Sequence, residues 1–465
     1  MQQQPEPVIH ASFSGRVGIT RVDITPPIGI YSRTWGAAKS DVAQSVHRPL
    51  TLSALVCSPS DGGRTLVLVD ADLSWWQPLN VFHAFQQRLL KELSIDSADF
   101  IFGVAHTHAA PPLMVAEESL PGGELLNTWL EDIFQSTLAA VREALANQFE
   151  ALVDWHHGTC QLATLRDLPE PGGDSLRVVC GYNPSKQADD TLLVGRVSDA
   201  EGKLRAVVVN YACHPTTLAW ENTSISPDYL GTMRETIEKA TSAVALFVQG
   251  ASGELSPRYQ YVGDTKVADR HGRQLAFAAL AVLNDMEPPA NELFYEGTVE
   301  SGAPLAVWRH RPQEVSRELR SLRAMVELPL KDWQSAEQLE QQRQACDDRT
   351  LEERLRRKRD IRRSLGDGET YTLPIWAWRI GDAVLVGCCC EAYSILQREL
   401  RQRFPANAIL CMNLCNGSIG YLPPAEMYDV DVYQTWQTPF ARGSLELLIE
   451  KMAKMIGELL GGESP

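Results

Sequence analysis

The chain has 465 residues, 44% of them hydrophobic, enough for one large enzyme-sized unit or for two or three domains with a sizeable core. It carries 43 basic and 59 acidic residues, and a net charge of −16 lacks the positive field that a nucleic-acid backbone demands of its binder. No stretch reaches the roughly 18 apolar residues of a membrane span.

In chain order, the N-terminal "MQQQPEPVIHASFSG" has no basic segment leading into an apolar one, so no secretory signal is expected. "RVGITRVDITPPIGI", "LTLSALVC" and "TLVLVDADL" read as strands and turns, with Asp70 at a strand end by default structural. Residues 124–149 have helical spacing, with Trp129, Ile133, Val141 and Leu145 on one stripe. A Pro/Gly/Asp-rich loop, "LPEPGGDS", precedes the strands "LLVGRVS" and "LRAVVVNYACH". "TMRETIEKATSA" predicts a helix, "VALFVQG" a buried strand and "DRHGRQLAFAALAVLNDM" another helix. Residues 311–366 are charged and poor in apolar side chains, which predicts a solvated helix or helical pair inserted between strands. Its basic run from Arg354 to Arg363 could meet an anionic surface, although acidic residues precede it directly. "IWAWRIGDAVLVG" and "AILCMNLC" return to strand patterning, and "SLELLIEKMAKMIGELL" closes the chain as an amphipathic helix. The class is therefore α/β, with mixed sheets flanked by helices.

Ten cysteines are sparse for this length, and Cys388, Cys389 and Cys390 are consecutive, so adjacent side chains would point to opposite strand faces. Reduced thiols and a cytoplasmic setting follow. Asn222 and Asn416 open glycosylation sequons, a pattern common by chance.

Several apolar runs end in groups capable of chemistry. "GVAHTHAAPP" carries His106 and His108; "AVVVNYACH" ends in His214; "VLVGCCCE" ends in Glu391; "AILCMNLCNGSIGY" leads to Tyr421; and "VALFVQGASGELS" leads to Ser252, Glu254 and Ser256. In open α/β sheets ligands bind beyond the carboxyl ends of strands, so these groups could share one crevice. An H-x-H pair on a strand puts both rings on one face, which suits two ligands of one metal, or one ligand and one acid–base group, or a packed hydrogen-bonded pair. Glu391 after a wholly apolar stretch requires a cation or an arginine, since an unpaired buried carboxylate costs several kcal/mol. Two histidines and a carboxylate suit zinc with an open position for water. A serine-nucleophile elbow is excluded in "QGASGELSPR", because Glu254 stands where G-x-S-x-G needs its last glycine. Ser256 before Pro257 reads as a cap or turn residue.

The segments "AHTHAAPP", "NYACHPTTL", "SPDYLG", "QGASGELSPR", "GCCCEAYSILQREL" and "NGSIGYLPPAEMYDVDVY" occur in the order of the matching segments of the neutral (non-lysosomal) ceramidases, and "GITRVDITPP" resembles that family's opening strand. The resemblance spans roughly residues 15–440. It implies a single catalytic domain over residues 1–465, with its site at strand C-terminal ends, that cuts the N-acyl bond of a small-molecule or lipid substrate with Zn2+. It places His106, His214, Glu391 and Tyr421 as zinc ligands, His108 as a proton shuttle and Ser256 beside the metal. Arg166 in "ATLRDLP" would contact substrate, and Tyr433 would stabilise an oxyanion. An ester or small non-lipid amide as substrate, or a non-catalytic ligand-binding role, are the alternatives. The family's C-terminal immunoglobulin-like domain and its export signal are expected to be absent. "GELSPR" departs from the family's G-D-x-S-P-N, and residues 311–366 replace the family segment that helps build the lipid pocket, so the zinc chemistry is better supported than ceramide itself.

Overall fold

The computed structural model describes residues 5–116, 120–173 and 176–461. Two mixed sheets share a core. The larger has eight strands in the spatial order Val244–Gln249, Leu204–Tyr211, Thr191–Asp199, Phe149–Thr159, Ala11–Asp23, Thr51–Ser58, Leu66–Ala71 and Phe100–Val104. Its two outermost pairs are parallel and the remainder antiparallel. The smaller sheet runs Leu319–Pro329, Thr370–Ile380, Ala383–Cys388 and Ala408–Met412.

Strand periodicity of two explains why so many runs are apolar without a break. Leu66 and Leu68 face Trp378, Leu385 and Leu410 of the second sheet, while Val67, Val69 and Ala71 face the helices Leu79–Leu93 and Gly123–Ala146. Val208 and Leu246 likewise enter the core between the sheets, and Val207 and Phe247 pack under the helices Tyr229–Thr241 and Thr265–Asp285. On the far side of the smaller sheet, Val384 and Val386 meet the helices Ile395–Arg403 and Ser444–Leu460. Strands buried on both faces read as continuous hydrophobic runs. The stripe predicted at Trp129, Ile133 and Val141 is buried, with Leu145 packed at its margin.

The larger sheet curls until its two edges approach each other, and the segment Asn413–Asn416 bridges them. Asn413 N–H donates to Gln249 O at 3.0 Å on one edge strand, and Asn416 N–H donates to Phe102 O at 2.8 Å on the other. The Asn416 amide completes the seam, accepting from Phe102 N–H at 2.8 Å and donating to Phe100 O at 3.0 Å. Edge groups that would template aggregation are thereby paired inside the molecule. Asn416→Ala strands two of them, and we expect a loss of about 2–4 kcal/mol. Urea unfolding checks this, and a loss under about 0.5 kcal/mol would show that the seam closes without the amide. With its side chain buried, Asn416 is no glycosylation acceptor in the folded chain. All ten cysteines are free.

Residues 311–366 are not a plain solvated insertion. They begin at the end of the strand Pro304–Pro312, supply the edge strand Leu319–Pro329 of the smaller sheet, then form the helical pair Ala336–Gln344 and Arg349–Leu365. Glu353, Arg359, Asp360 and Arg362 are buried despite their charge. The physical reason is internal pairing: Glu353 receives Arg356 and Arg357, and Arg359 reaches Glu340 and Asp360. Charge counting misses pairing between the buried side chains. The hairpin Asn291–Glu300 with Pro304–Pro312 and the helix Leu79–Leu93 were not predicted. In the loop "LPEPGGDS", Asp174 and Ser175 lie outside the described residues, and Asp167–Pro169 pairs with Arg177–Cys180.

Candidate metal centre

The strand Phe100–Val104 stops two residues before His106, so the two histidines are not aligned by strand periodicity as predicted. A turn places them instead. His106 has φ +67°, a left-handed conformation that ordinary side chains avoid and that clusters at functional positions. Its N–H donates to Leu73 O at 2.9 Å. The threonine between the histidines is a buried anchor whose Oγ1 donates to Ser226 O at 2.8 Å. The His106 and His108 ring centroids lie 4.9 Å apart, and His214 lies 4.9 Å from His106.

The rings of His106 and His214 are each oriented by backbone carbonyls. His106 Nδ1 faces Ser74 O at 3.2 Å, and His214 Nδ1 faces Ser252 O at 2.6 Å and Leu255 O at 3.2 Å. With Nδ1 donating to a carbonyl, a neutral imidazole presents a bare lone pair at Nε2. Both Nε2 atoms point at one oxygen, Glu391 Oε2, from 3.3 Å and 3.0 Å. Lone pairs facing a carboxylate oxygen repel unless positive charge stands between them, so this donor set fits a cation. Burial, then Arg166, pushes His214 down to about 4. Where the positive charge is a proton on the rings themselves, His106 and then His214 outweigh the burial that would raise the Glu391 carboxyl and hold it well below the usual range. The ligand atoms of His106, His108 and His214 all lie within 4.8 Å of one another.

Glu391 and Tyr421 are direct partners in the short parallel pair Cys390–Ala392 and Gly420–Leu422, which sets their side chains next to each other. Tyr421 Oη accepts from Arg166 Nη2 at 3.1 Å, and the same guanidinium nitrogen donates to Gly253 O at 2.6 Å. Gly253 must be glycine: a Cβ there would lie 2.7 Å from the Tyr393 ring and 2.9 Å from Glu391 O. Tyr433 opens the short helix Tyr433–Gln437, with its ring 5.7 Å from that of Tyr421 and its hydroxyl pushed up by burial. Ser256 is fully buried, and its hydroxyl accepts from Gln260 Nε2 at 2.7 Å, while Gln260 Oε1 accepts from Thr216 at 2.7 Å. The Ser252 hydroxyl accepts from Gln249 Nε2 at 2.7 Å. Glu254 turns away to the amide and hydroxyl of Ser394, and burial raises its carboxyl to about 7. Asp70 and Asp72 face the buried Arg234.

A cavity of about 480 Å³ opens over this group, lined by His106, His108, Arg166, Glu391, Tyr421 and Tyr433 among others. Sequence reasoning missed three of its walls. Trp35 and Trp75 flank His108, each with its ring centroid 5.0 Å away. Arg357 lies over Trp75 at 5.0 Å and donates to Thr34 O at 2.6 Å, while the Thr34 hydroxyl donates to His108 O at 2.5 Å. The signal was present at positions 350, 353, 354, 357 and 361, a helical face of the charged segment that lines the cavity.

Layered mixed sheets with polar groups gathered past the strand ends define an α/β architecture with a metal-capable site at the seam. Two of the solved structures that match share the architecture. A ceramidase complexed with C2 is 16% identical at a TM-score of 0.67, and the neutral ceramidase from Pseudomonas aeruginosa is 17% identical at 0.68; each comparison covers 97% of this chain and 76% of the other. At that identity the likeness is one of fold. No family model and no curated protein matches the sequence. Among the described residues, no helix is long and apolar enough to cross a membrane.

Proposed function

We propose that the chain, acting as one catalytic domain, is a zinc-dependent hydrolase of an N-acyl amide, related in mechanism to the ceramidases whose fold it shares. The observation that carries this reading is the pair of carbonyl-oriented imidazoles aimed at one Glu391 oxygen on the cavity wall. His106, His214, Glu391 and Tyr421 would hold the ion. When bound, zinc supplies Lewis acidity and brings the pKa of a water near 7.

The chain's own groups supply the rest. Both His108 nitrogens are buried without a partner among the described residues, and burial, then the neighbouring imidazoles, keeps the ring well below its ordinary pKa and so neutral at pH 7. Such a ring can accept the proton that water loses as its oxygen bonds to the acyl carbon. It then delivers that proton to the nitrogen as the C–N bond breaks, giving a carboxylic acid and an amine. The Tyr433 hydroxyl, kept protonated by burial, is the donor for the oxyanion. Arg166 positions Tyr421 through its hydrogen bond and presents its cation to the substrate side of the cavity. Ser256 acts through Gln260 and Thr216, as a positioning residue.

Metal analysis by mass spectrometry, paired with hydrolysis of an N-acyl amide panel, tests this reading. About one zinc per chain is expected, lost with turnover on chelation and restored with it on adding zinc back. Chelator-insensitive turnover, or zinc-loaded protein inert to every amide, would overturn it.

A further inference from the structure

The helix Arg349–Leu365 turns one face to the cavity, and that face carries cations beyond what its acids neutralise. Glu353 is the acid on it, and it is shared by Arg356 and Arg357. Arg354 makes no salt bridge or hydrogen bond among the described residues; its guanidinium lies 5.1 Å from the Trp436 ring centroid at the exposed rim. Asp348 feels Arg354 only through space, because its carboxylate caps the helix at Thr350 and Leu351. The positions three and four residues from Arg354 are Thr350, Leu351, Arg357 and Lys358, so its helical neighbours add like charge and no acid. Elsewhere on this helical pair arginines find an acid three or four residues away, as Arg343 does at Glu340 and Arg357 at Glu353. Deeper in the cavity Arg166 is buried with no carboxylate salt bridge among the described residues, and its Nε has no partner among them. In a chain of net charge −16, a cavity walled by unneutralised arginines is a local inversion of the field.

We propose that the amine half of the substrate carries an oxyanion, a carboxylate or a phosphate ester, held by Arg354 and Arg357. The placement rests on the hydrolase reading above. His108, which would protonate the leaving amine, stands against Trp75, and the Arg357 guanidinium lies over that same ring. The amine half therefore lies under the cationic face of the helix, and Arg354, one turn nearer the rim, meets what projects from it. Guanidinium suits this role, since its planar fork matches both oxyanions.

The test uses the full-length zinc-loaded protein and three probes with one acyl chain: N-octanoylglycine, N-octanoyl-O-phosphoethanolamine and the neutral N-octanoylethanolamine. Binding is followed by calorimetry and turnover by release of octanoate. At least one anionic probe is expected to bind and turn over about tenfold or more better than the neutral one. In R354Q that preference falls about tenfold through KM, with kcat and the neutral probe unchanged, and R354K restores part of it. Equal handling of charged and neutral probes, or an equal loss for all probes in R354Q, overturns the anion site while leaving the hydrolase standing. Anion-selective binding that depends on Arg354, without turnover of any probe, overturns the hydrolase and leaves the anion site standing.

Discussion

His106→Ala protein is expected to lose stoichiometric zinc and, with it, amide hydrolysis, while keeping its secondary structure and most of its stability. Groups that merely orient a metal ligand are worth about 10–100-fold in affinity, so removing a ligand should cost more than ~100-fold. The residue does two things that one substitution conflates. Its ring faces Glu391, and its backbone occupies the left-handed region at φ +67°. Alanine there gains no relief from the left-handed backbone cost of about 1–2 kcal/mol that histidine already bears, so the lost ligand dominates its effect. His106→Asn separates the two, because asparagine tolerates that conformation and still cannot replace the Nε2 donor. Both variants should be equally metal-poor, with Asn the more stable. Zinc retained at one per chain in either variant, with turnover intact, would remove His106 from the centre.

Which parts of this were legible in the sequence follows from physical range. Strand runs such as "TLVLVDADL" announced themselves because burial on two faces keeps residues 66–69 wholly apolar, and the groups that end them were legible for the same reason. The convergence of His106, His214 and Glu391 was not a local property. It depends on a sheet that curls until its edges meet, and on backbone carbonyls at Ser74 and Ser252 that carry no sequence signature. The same limit hid the cavity wall at residues 349–365. Composition sees eleven charges and reads solvent, whereas pairing within the helical pair lets Glu353 and Arg359 be buried. His106 and His108 came together by a turn, with Thr107 as its anchor, where alternation along a strand had suggested the same neighbourhood for a different reason.

The largest stability effect is expected at Arg234, outside the site. Its guanidinium donates to both Asp70 oxygens, at 3.1 and 2.9 Å, and to Asp72, all three residues being nearly inaccessible. Asp70 also accepts from Phe247 N–H at 2.8 Å, and Asp72 from Thr51 N–H and Oγ1 at 2.9 Å. Asp70 lies on the strand next to one edge of the larger sheet and Phe247 on the opposite edge strand, so the triad fastens the curl on which the site depends. Arg234→Met leaves two buried carboxylates without their cation, a defect worth about 3–5 kcal/mol. Its pH dependence has a definite sign. Burial raises the Asp70 carboxyl and Arg234 opposes that rise, so without Arg234 it titrates higher in the folded than in the unfolded chain; the cost is full above the folded pKa and fades as pH falls toward the unfolded value. Urea unfolding at about pH 8 and about pH 5 should therefore show the variant's deficit shrinking in acid. Adding Asp70→Asn and Asp72→Asn to Arg234→Met should recover part of the loss at pH 8, because it removes the stranded charges. Zinc affinity should fall with Arg234→Met, since His106 follows one edge strand and His214 the strand beside the opposite edge, the two sides that the triad ties together. A deficit below about 1 kcal/mol, or one that grows in acid, would mean that the curl is held by Asn413–Asn416 and the apolar core instead.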